Sequence, residues 1–286
     1  MGTNWRTLVR NGLEVLEIEA DAARASVALQ GAQVLELVPR GGRDWLWVSE
    51  RARWSAGAAL RGGIPICFPW FGPHPTEKAF PAHGFARTRA WRLAGVEAAD
   101  GKVRAELTLA ADAATLALYP HPFEARLALT VGDELALAFE VRNPGAEPLA
   151  FELALHSYFA VGDVAEAAID GLAGSAFIDK VAGGAHRREA EGPLRIVGEV
   201  DRVYDAGGPL TLIDPVWERS LRIESQGAGS TVVWNPAPAK TATLSDLAPD
   251  GYRRFVCVER GAIGARAATV PPGDRHQVTV AYRPSR

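Results

Sequence analysis

Alternation of apolar and polar residues is the main regular pattern along the chain. In residues 102–110, Val103, Ala105, Leu107 and Leu109 occupy every second position, with charged or hydroxyl side chains between them. A two-residue period is typical of a β-strand that buries one face. The same pattern predicts strands in five further segments: 124–131, 134–141, 220–225, 230–235 and 275–282.

Glycine-containing turns separate these strands. Gly132 and Asp133 lie between two alternating segments and predict a hairpin with a two-residue primed turn. Residues 227–229 predict the turn before the strand at 230–235. Helical patterns are weak: residues 110–119 are consistent with one helical turn, and residues 246–252 with a single turn.

Many one-sided strands without intervening helices indicate antiparallel sheets packed face to face. The predicted fold class is therefore all-β, a large antiparallel β-sandwich. The chain has 286 residues and shows no linker, no repeat and no low-complexity segment. A single domain over residues 1–286 is predicted in preference to two smaller ones.

Charge and composition narrow the range of partners. The formal net charge is −3, so no basic field would attract nucleic acid, and none is expected as a partner. Charges interrupt every apolar run well short of a membrane span, so no membrane contact and a cytoplasmic location are expected. Cys67 and Cys257, the only cysteines, lie in apolar runs and are predicted to be buried free thiols.

The sequence lacks the motifs of several common catalytic and cofactor-binding sites. There is no phosphate-binding P-loop, no dinucleotide-binding glycine motif and no nucleophile elbow. No two of the six histidines lie at metal-ligand spacing, and neither cysteine is close in sequence to a histidine. No metal and no cofactor are predicted, so an enzyme with this sequence would rely on acid–base chemistry.

Two loop-like segments contain basic residues beside glycines. In RGGIPICFPWFG, Arg61 precedes two glycines; the arginine is either solvated or lies at a close approach of the backbone to another group. In AHGFARTRAW, His83 and Arg87 flank Gly84. These two side chains either converge on an anion or a sugar, or are unrelated surface residues.

Two strand-like segments place titratable residues among apolar ones. His156, in FELALHSYFAVGD, is either a hydrogen-bonded core histidine or half of a proton-transfer pair. Glu259 follows FVCV; it has a partner or a function if the strand is central, and otherwise emerges into solvent at the strand end. Asp201 lies in a polar stretch, and Trp234 is either a sugar-stacking surface or a core aromatic residue.

Six segments together carry a family resemblance: RGGIPICFPWFG, HGFAR, LHSYFAVGD, DRVY, VVWNP and FVCVE, in that order. A chain with this series resembles the hexose-6-phosphate mutarotases, or glucose-6-phosphate 1-epimerases, of the galactose-mutarotase-like superfamily. The resemblance implies a β-supersandwich, no cofactor, and interconversion of the α and β anomers of a hexose 6-phosphate. It also implies a small sugar phosphate as the partner, and nothing in the sequence demands more than a monomer.

The resemblance assigns roles by motif. The family's catalytic histidine and glutamate fall on His156 and Glu259. Four further positions match residues that bind the substrate: the phosphate- and sugar-binding arginines Arg61 and Arg87, the hydroxyl-binding Asp201, and His83 near the sugar ring. The chain departs from the family pattern at two positions, with Ala82 in place of a glutamine and the basic Arg260 after the catalytic glutamate.

Opening a pyranose ring needs one proton removed from O1 and one delivered to O5. A carboxylate suits the first step and an imidazolium the second. Ordinary pKa values leave glutamate ionised and histidine partly protonated near neutrality, and a neighbouring carboxylate favours imidazolium. Two alternatives remain: an aldose 1-epimerase for unphosphorylated hexoses, which does not need the arginine pair, and a non-catalytic sugar-phosphate sensor on the same scaffold.

Overall fold

The computed structural model describes residues 4–285, which form 23 β-strands, two short α-helices and three 3-10 helices. The first twelve strands are β1 (Asn4–Arg10), β2 (Leu13–Glu19), β3 (Ala23–Ala28), β4 (Gln33–Pro39), β5 (Ile66–Cys67), β6 (Arg92–Ala99), β7 (Lys102–Ala110), β8 (Glu124–Val131), β9 (Leu135–Arg142), β10 (Leu149–Phe151), β11 (Leu153–Leu155) and β12 (Tyr158–Ala160). The others are β13 (Ala168–Asp170), β14 (Ala176–Asp179), β15 (Ala185–Arg188), β16 (Leu194–Arg195), β17 (Val200–Tyr204), β18 (Leu210–Asp214), β19 (Arg219–Gln226), β20 (Ser230–Asn235), β21 (Phe255–Ala262), β22 (Ala268–Val270) and β23 (Arg275–Pro284). The helices are α1 (Ala113–Leu116) and α2 (Ala237–Thr241), with 3-10 turns at Ala86–Thr88, Gly251–Arg254 and Gly264–Arg266.

Two large antiparallel sheets dominate the molecule. One has nine strands in the order β16-β13-β18-β19-β23-β9-β8-β7-β6. The other has eight, with the path β15-β14-β17-β20-β21-β11-β5 and β12 also paired with β21. Smaller sheets contain β1–β4 and the pair β10 and β22.

One hydrophobic cluster joins the two large sheets. Leu107 and Phe139 of the nine-stranded sheet belong to the same buried cluster as Phe159 and Val258 of the eight-stranded sheet. Strand β7 buries every second residue, as its sequence alternation predicts. The prediction of a large antiparallel β-sandwich is confirmed.

The hairpin of β8 and β9 differs from its prediction in the turn. Val131 pairs with Leu135, so the loop contains the three residues 132–134 rather than two. The Gly132 amide donates a hydrogen bond to the Glu134 carbonyl (3.1 Å). The prediction of a two-residue primed turn is wrong, because Glu134 belongs to the loop and not to β9.

The segment that carries His156 is also not the continuous strand that its alternation predicts. It is divided among β10, β11 and β12, and residues 156 and 157 lie between the last two strands. The Ser157 amide turns back to the Leu155 carbonyl (3.0 Å), while the His156 amide donates to the Pro65 carbonyl (2.9 Å). His156 therefore lies at a local break in the sheet, fixed by its own backbone hydrogen bond.

Arg260 lies on the interior face of β21. Its guanidinium is fully buried and donates to the Thr231 hydroxyl and to the carbonyls of residues 206–208. Burial lowers the pKa of Arg260 to about 10. Because adjacent strand residues point to opposite faces, this departure from the family pattern lies on the other side of the sheet from Glu259.

Within residues 4–285, the helices are all too short or too polar to cross a bilayer.

Candidate active site

His156 and Glu259 face each other across neighbouring strands. β21 pairs with both β11 and β12 in one continuous register, from Leu155 opposite Arg260 to Tyr158 opposite Cys257. That register places His156 opposite Glu259. His156 Nε2 lies 3.3 Å from Glu259 Oε1, and the two residues are only 6% and 1% exposed.

One polar atom of each side chain lacks a hydrogen-bond partner. Among the described residues, His156 Nδ1 and Glu259 Oε2 are buried and have no hydrogen-bond partner. The imidazole stacks on the Tyr158 ring, with centroids 4.7 Å apart and planes inclined by 7°. Because unsatisfied buried polar atoms are costly, their presence in this pair makes it a candidate functional site.

Burial sets the protonation of the pair. Desolvation raises the pKa of Glu259 well above its ordinary value, and the charge of Asp201 raises it further, while Lys180 and Arg87 oppose the shift. Desolvation also lowers the pKa of His156 well below its ordinary value, with His83 and the two site arginines acting in the same direction. Burial thus favours a carboxylic acid beside a neutral imidazole, which is the opposite direction from the ionised glutamate expected from ordinary pKa values.

Arg61 is held on one side of the pair. Its Nε lies 2.8 Å from Asp246 Oδ1, its Nη1 donates to the Tyr158 hydroxyl (3.3 Å), and its guanidinium lies 5.9 Å from the Trp234 ring centroid. The adjacent Gly63 has a φ of +63° and packs directly against the Val34 carbonyl. The close approach predicted at these glycines is therefore to the protein's own backbone.

His83 and Arg87 lie in the loop and 3-10 turn that follow β5. The His83 Nδ1 accepts the Gly72 amide hydrogen (3.3 Å), which places the proton of a neutral ring on Nε2, and the two histidine rings are 5.6 Å apart. Burial and the charge of Arg87 lower the pKa of His83 to about 3. Arg87 Nη2 donates to the Ala82 carbonyl (2.8 Å), and no carboxylate in residues 4–285 is within ion-pair distance of this guanidinium.

Asp201 completes the group from β17. It pairs in register with Trp234 of β20, which in turn pairs with Cys257 of β21. Burial raises the pKa of Asp201. The structure thus brings together all six residues that the motifs suggested, on one face of the eight-stranded sheet and its adjoining loops.

Two charged residues near the site were not predicted from the sequence. Lys180 follows β14; its Nζ lies 4.0 Å from Asp201 Oδ1 and 4.7 Å from the Phe71 ring centroid. Asp246 is the ion-pair partner of Arg61. The Lys180–Asp201 contact depends on the pairing of β14 with β17, and the Arg61–Asp246 contact joins two loops. No local pattern around Lys180 or Asp246 signals these contacts.

The structure is an all-β sandwich with a buried histidine–glutamate pair, and cations and an indole lie near this pair. The family model for aldose 1-epimerase matches residues 14–283, and the chain belongs to this family. It is accordingly an epimerase, or mutarotase, that acts on small sugar molecules. The family prediction from the motifs is confirmed at this level.

Similar proteins agree with the family. The chain is 36% identical over 248 residues to a Salmonella typhimurium protein named "Putative glucose-6-phosphate 1-epimerase", covering 86% of this chain and 82% of the relative. An Escherichia coli K12 protein with the same name is 36% identical over 251 residues, with the same coverage. The crystal structure of a "putative mutarotase" from Salmonella typhimurium superimposes with a TM-score of 0.92 at 31% identity, covering 99% of this chain and 94% of that one.

Proposed function

We propose that the chain interconverts the α and β anomers of a hexose 6-phosphate, with glucose 6-phosphate as the leading substrate. The observation that carries this proposal is the buried His156–Glu259 contact of 3.3 Å, together with the nearby Arg87, whose guanidinium has no carboxylate partner within residues 4–285. The names of the two bacterial relatives support the choice of substrate. No cofactor and no metal enter the proposed reaction.

The proposed reaction needs two proton transfers, one from the substrate to Glu259 and one from His156 to the substrate. Glu259 takes the proton of the anomeric O1 while His156 protonates the ring oxygen O5, which opens the ring to the aldehyde. Rotation about C1–C2 and the reverse transfers then close the ring on the other face. Opening converts carboxylate and imidazolium into carboxylic acid and imidazole, so burial favours the protonation state that accompanies the open chain.

The surrounding charges act on the two groups in different ways. The site arginines and His83 lower the pKa of His156 and so add to the effect of burial. Lys180 and Arg87 lower the pKa of Glu259 and so oppose burial. A bound phosphate and a carboxylate would both be stabilised by these cations. At Glu259 these cations therefore reduce the bias that burial gives to the protonated state, which favours reversible proton transfer.

The remaining residues are assigned to binding. Arg61 and Arg87 would bind the phosphate, since a guanidinium matches a phosphate dianion with paired donors. Asp201 would accept a hydrogen bond from a sugar hydroxyl, and His83 would donate from Nε2. Trp234 offers an apolar face for the sugar ring.

The experiment is enzyme-dependent anomer exchange, measured by NMR for glucose 6-phosphate, glucose and galactose. We expect acceleration mainly for the phosphorylated sugar, above its unaided mutarotation. Acceleration of the free sugars alone would instead make the chain an aldose 1-epimerase. If glucose 6-phosphate binds but anomer exchange is not accelerated for any of the three sugars, the chain would be a sensor, and the catalytic assignment would be overturned.

The double variant Arg61→Met with Arg87→Met tests the phosphate site. Loss of charge-assisted hydrogen bonds worth about 1.5–3 kcal/mol for each arginine should lower kcat/KM for glucose 6-phosphate by roughly 100-fold or more and abolish the preference over glucose. Arg275→Met, an exposed arginine on β23, is the matched control. An unchanged preference in the double variant would assign phosphate recognition to another group.

A further inference from the structure

Cys257 lies beside the acid–base pair, although no role in proton transfer is assigned to it. It precedes Glu259 by two residues on β21, so the two side chains share one face of the strand. The donor atoms of His156, Cys257 and Glu259 all lie within 4.8 Å of one another, and all three residues are buried. Strand pairing, and not local spacing, assembles this set of nitrogen, sulfur and oxygen donors.

The donor set matches zinc chemistry. Zn²⁺ prefers four tetrahedral ligands drawn from imidazole, thiolate and carboxylate, and sites with three protein ligands keep one position open. With bonds of about 2.0–2.1 Å, two nitrogen or oxygen ligands of tetrahedral zinc lie about 3.3 Å apart. The His156 Nε2–Glu259 Oε1 distance is 3.3 Å.

The charges of the ligands would have to offset the nearby positive charges of Lys180, Arg87 and Arg61. Within the described part of the chain, Glu259 Oε2 has no hydrogen-bond partner, so the carboxylate can ligate through Oε1 without losing a hydrogen bond at its other oxygen. A thiolate and a carboxylate together neutralise a divalent cation, which reduces the cost of burying it. Cys67 is the other buried thiol, and it contacts His83 instead (Sγ to Nδ1, 3.5 Å).

We propose that His156, Cys257 and Glu259 bind Zn²⁺ as a reversible inhibitor of the enzyme. On binding, the Cys257 thiol and the His156–Glu259 pair each release one proton to solvent, and no redox change occurs. The bound ion occupies the lone pairs that the proton transfers use. The inhibition, unlike the binding, rests on the function proposed above.

The test begins with metal-free protein and compares the wild type with Cys257→Ala. Equilibrium dialysis with ZnCl₂ should give one ion per wild-type chain and a Kd weakened by roughly tenfold or more in the variant. Co²⁺ in place of zinc should give a thiolate-to-metal absorption band that the variant lacks. Cys67→Ala is the matched control and should keep both signals, and Cys257→Ser is a second variant that preserves side-chain volume.

Activity is measured separately from binding. Zinc should inhibit anomer exchange by the wild type, and Cys257→Ala, which keeps the acid–base pair, should be active and require roughly tenfold more zinc for half-inhibition. Equal zinc binding by wild type and Cys257→Ala would indicate other ligands and overturn the site. Binding that needs Cys257 but leaves exchange unaffected would overturn the inhibition. If the protein exchanges no anomers but binds zinc through Cys257, the function fails and the metal site stands.

Discussion

At the scale of single residues, the protonation of Glu259 is governed by opposing neighbours. Burial and the Asp201 carboxylate raise its pKa, while Lys180 and Arg87 lower it. Burial lowers the pKa of His156, so the state in which both groups are protonated is confined to acidic pH. The active state, with one proton shared by the pair, should therefore extend between the lowered histidine pKa and the raised glutamate pKa, giving a bell-shaped profile.

Asp201→Asn and Lys180→Met should shift the alkaline limb of this profile in opposite directions. Removing the aspartate charge lowers the pKa of Glu259, so activity is lost at lower pH than in the wild type. Removing the lysine charge raises that pKa, so activity persists to higher pH. The measurement is kcat/KM for glucose 6-phosphate against pH.

Lys180→Arg is the matched control for charge and should restore the wild-type profile, while Lys78→Met, at an exposed position, should not move it. A shift of the same sign in Asp201→Asn and Lys180→Met would contradict the electrostatic account.

Only the site residues that lie in recognisable sequence motifs could be predicted from the sequence. His156 and Glu259 stand out because polar residues interrupt apolar strands, and the family resemblance adds the basic residues. Lys180 and Asp246 were not identified, because their partners Asp201 and Arg61 are brought close by strand order and loops. The histidine–cysteine–glutamate cluster was missed for the same reason, since His156 lies about 100 residues before its two partners.

At the scale of elements, register and loop geometry create the site. β21 holds one register with β11 and β12, so the break at residues 156 and 157 does not displace His156 from Glu259. The strands themselves follow from alternation, but the break does not, since the alternation continues through it. The turn at 132–134 was likewise mispredicted, because only pairing shows that Glu134 does not join β9.

Gly84 fixes the loop that carries His83 and Arg87. Its φ is +70°, and a Cβ there would overlap the Phe68 carbonyl. Gly84→Ala should lower the free energy of unfolding by more than the roughly 1–2 kcal/mol expected from left-handed backbone strain alone, and should weaken sugar-phosphate binding. Denaturant unfolding and KM are the measurements.

Gly41→Ala is the control, because Gly41 has a φ of +71° with no atom within 4 Å of the added Cβ. Equal destabilisation by the two substitutions would show that the contact with Phe68 does not constrain the loop.

At the scale of the whole molecule, one buried cluster extends from Leu16 to Tyr282 and includes residues of both large sheets. Composition and alternation were enough to predict a sandwich, because one-sided strands must cover their apolar faces against each other. The order of the strands could not be predicted from the sequence, because strands far apart in the chain become neighbours. β21 lies between β20 and β11, which are about 75 residues apart.

We propose that residues 1–286 form one folding domain and a monomer. Denaturant unfolding should give one cooperative transition, with intrinsic tryptophan fluorescence and circular dichroism coinciding, because the core cluster is continuous. Sedimentation equilibrium should give the mass of a single chain. Two separated transitions, or the mass of a dimer, would contradict these expectations.

The central claim is that Glu259 and His156 together open the ring of a hexose 6-phosphate. The most direct measurement is NMR exchange between the anomers of glucose 6-phosphate, catalysed by the wild type, Glu259→Gln and His156→Asn, with His186→Gln at an exposed position as control. Loss of a general acid or base should lower kcat about 10²–10⁴-fold in each site variant and leave the control unchanged. Wild-type turnover by folded Glu259→Gln would contradict the account.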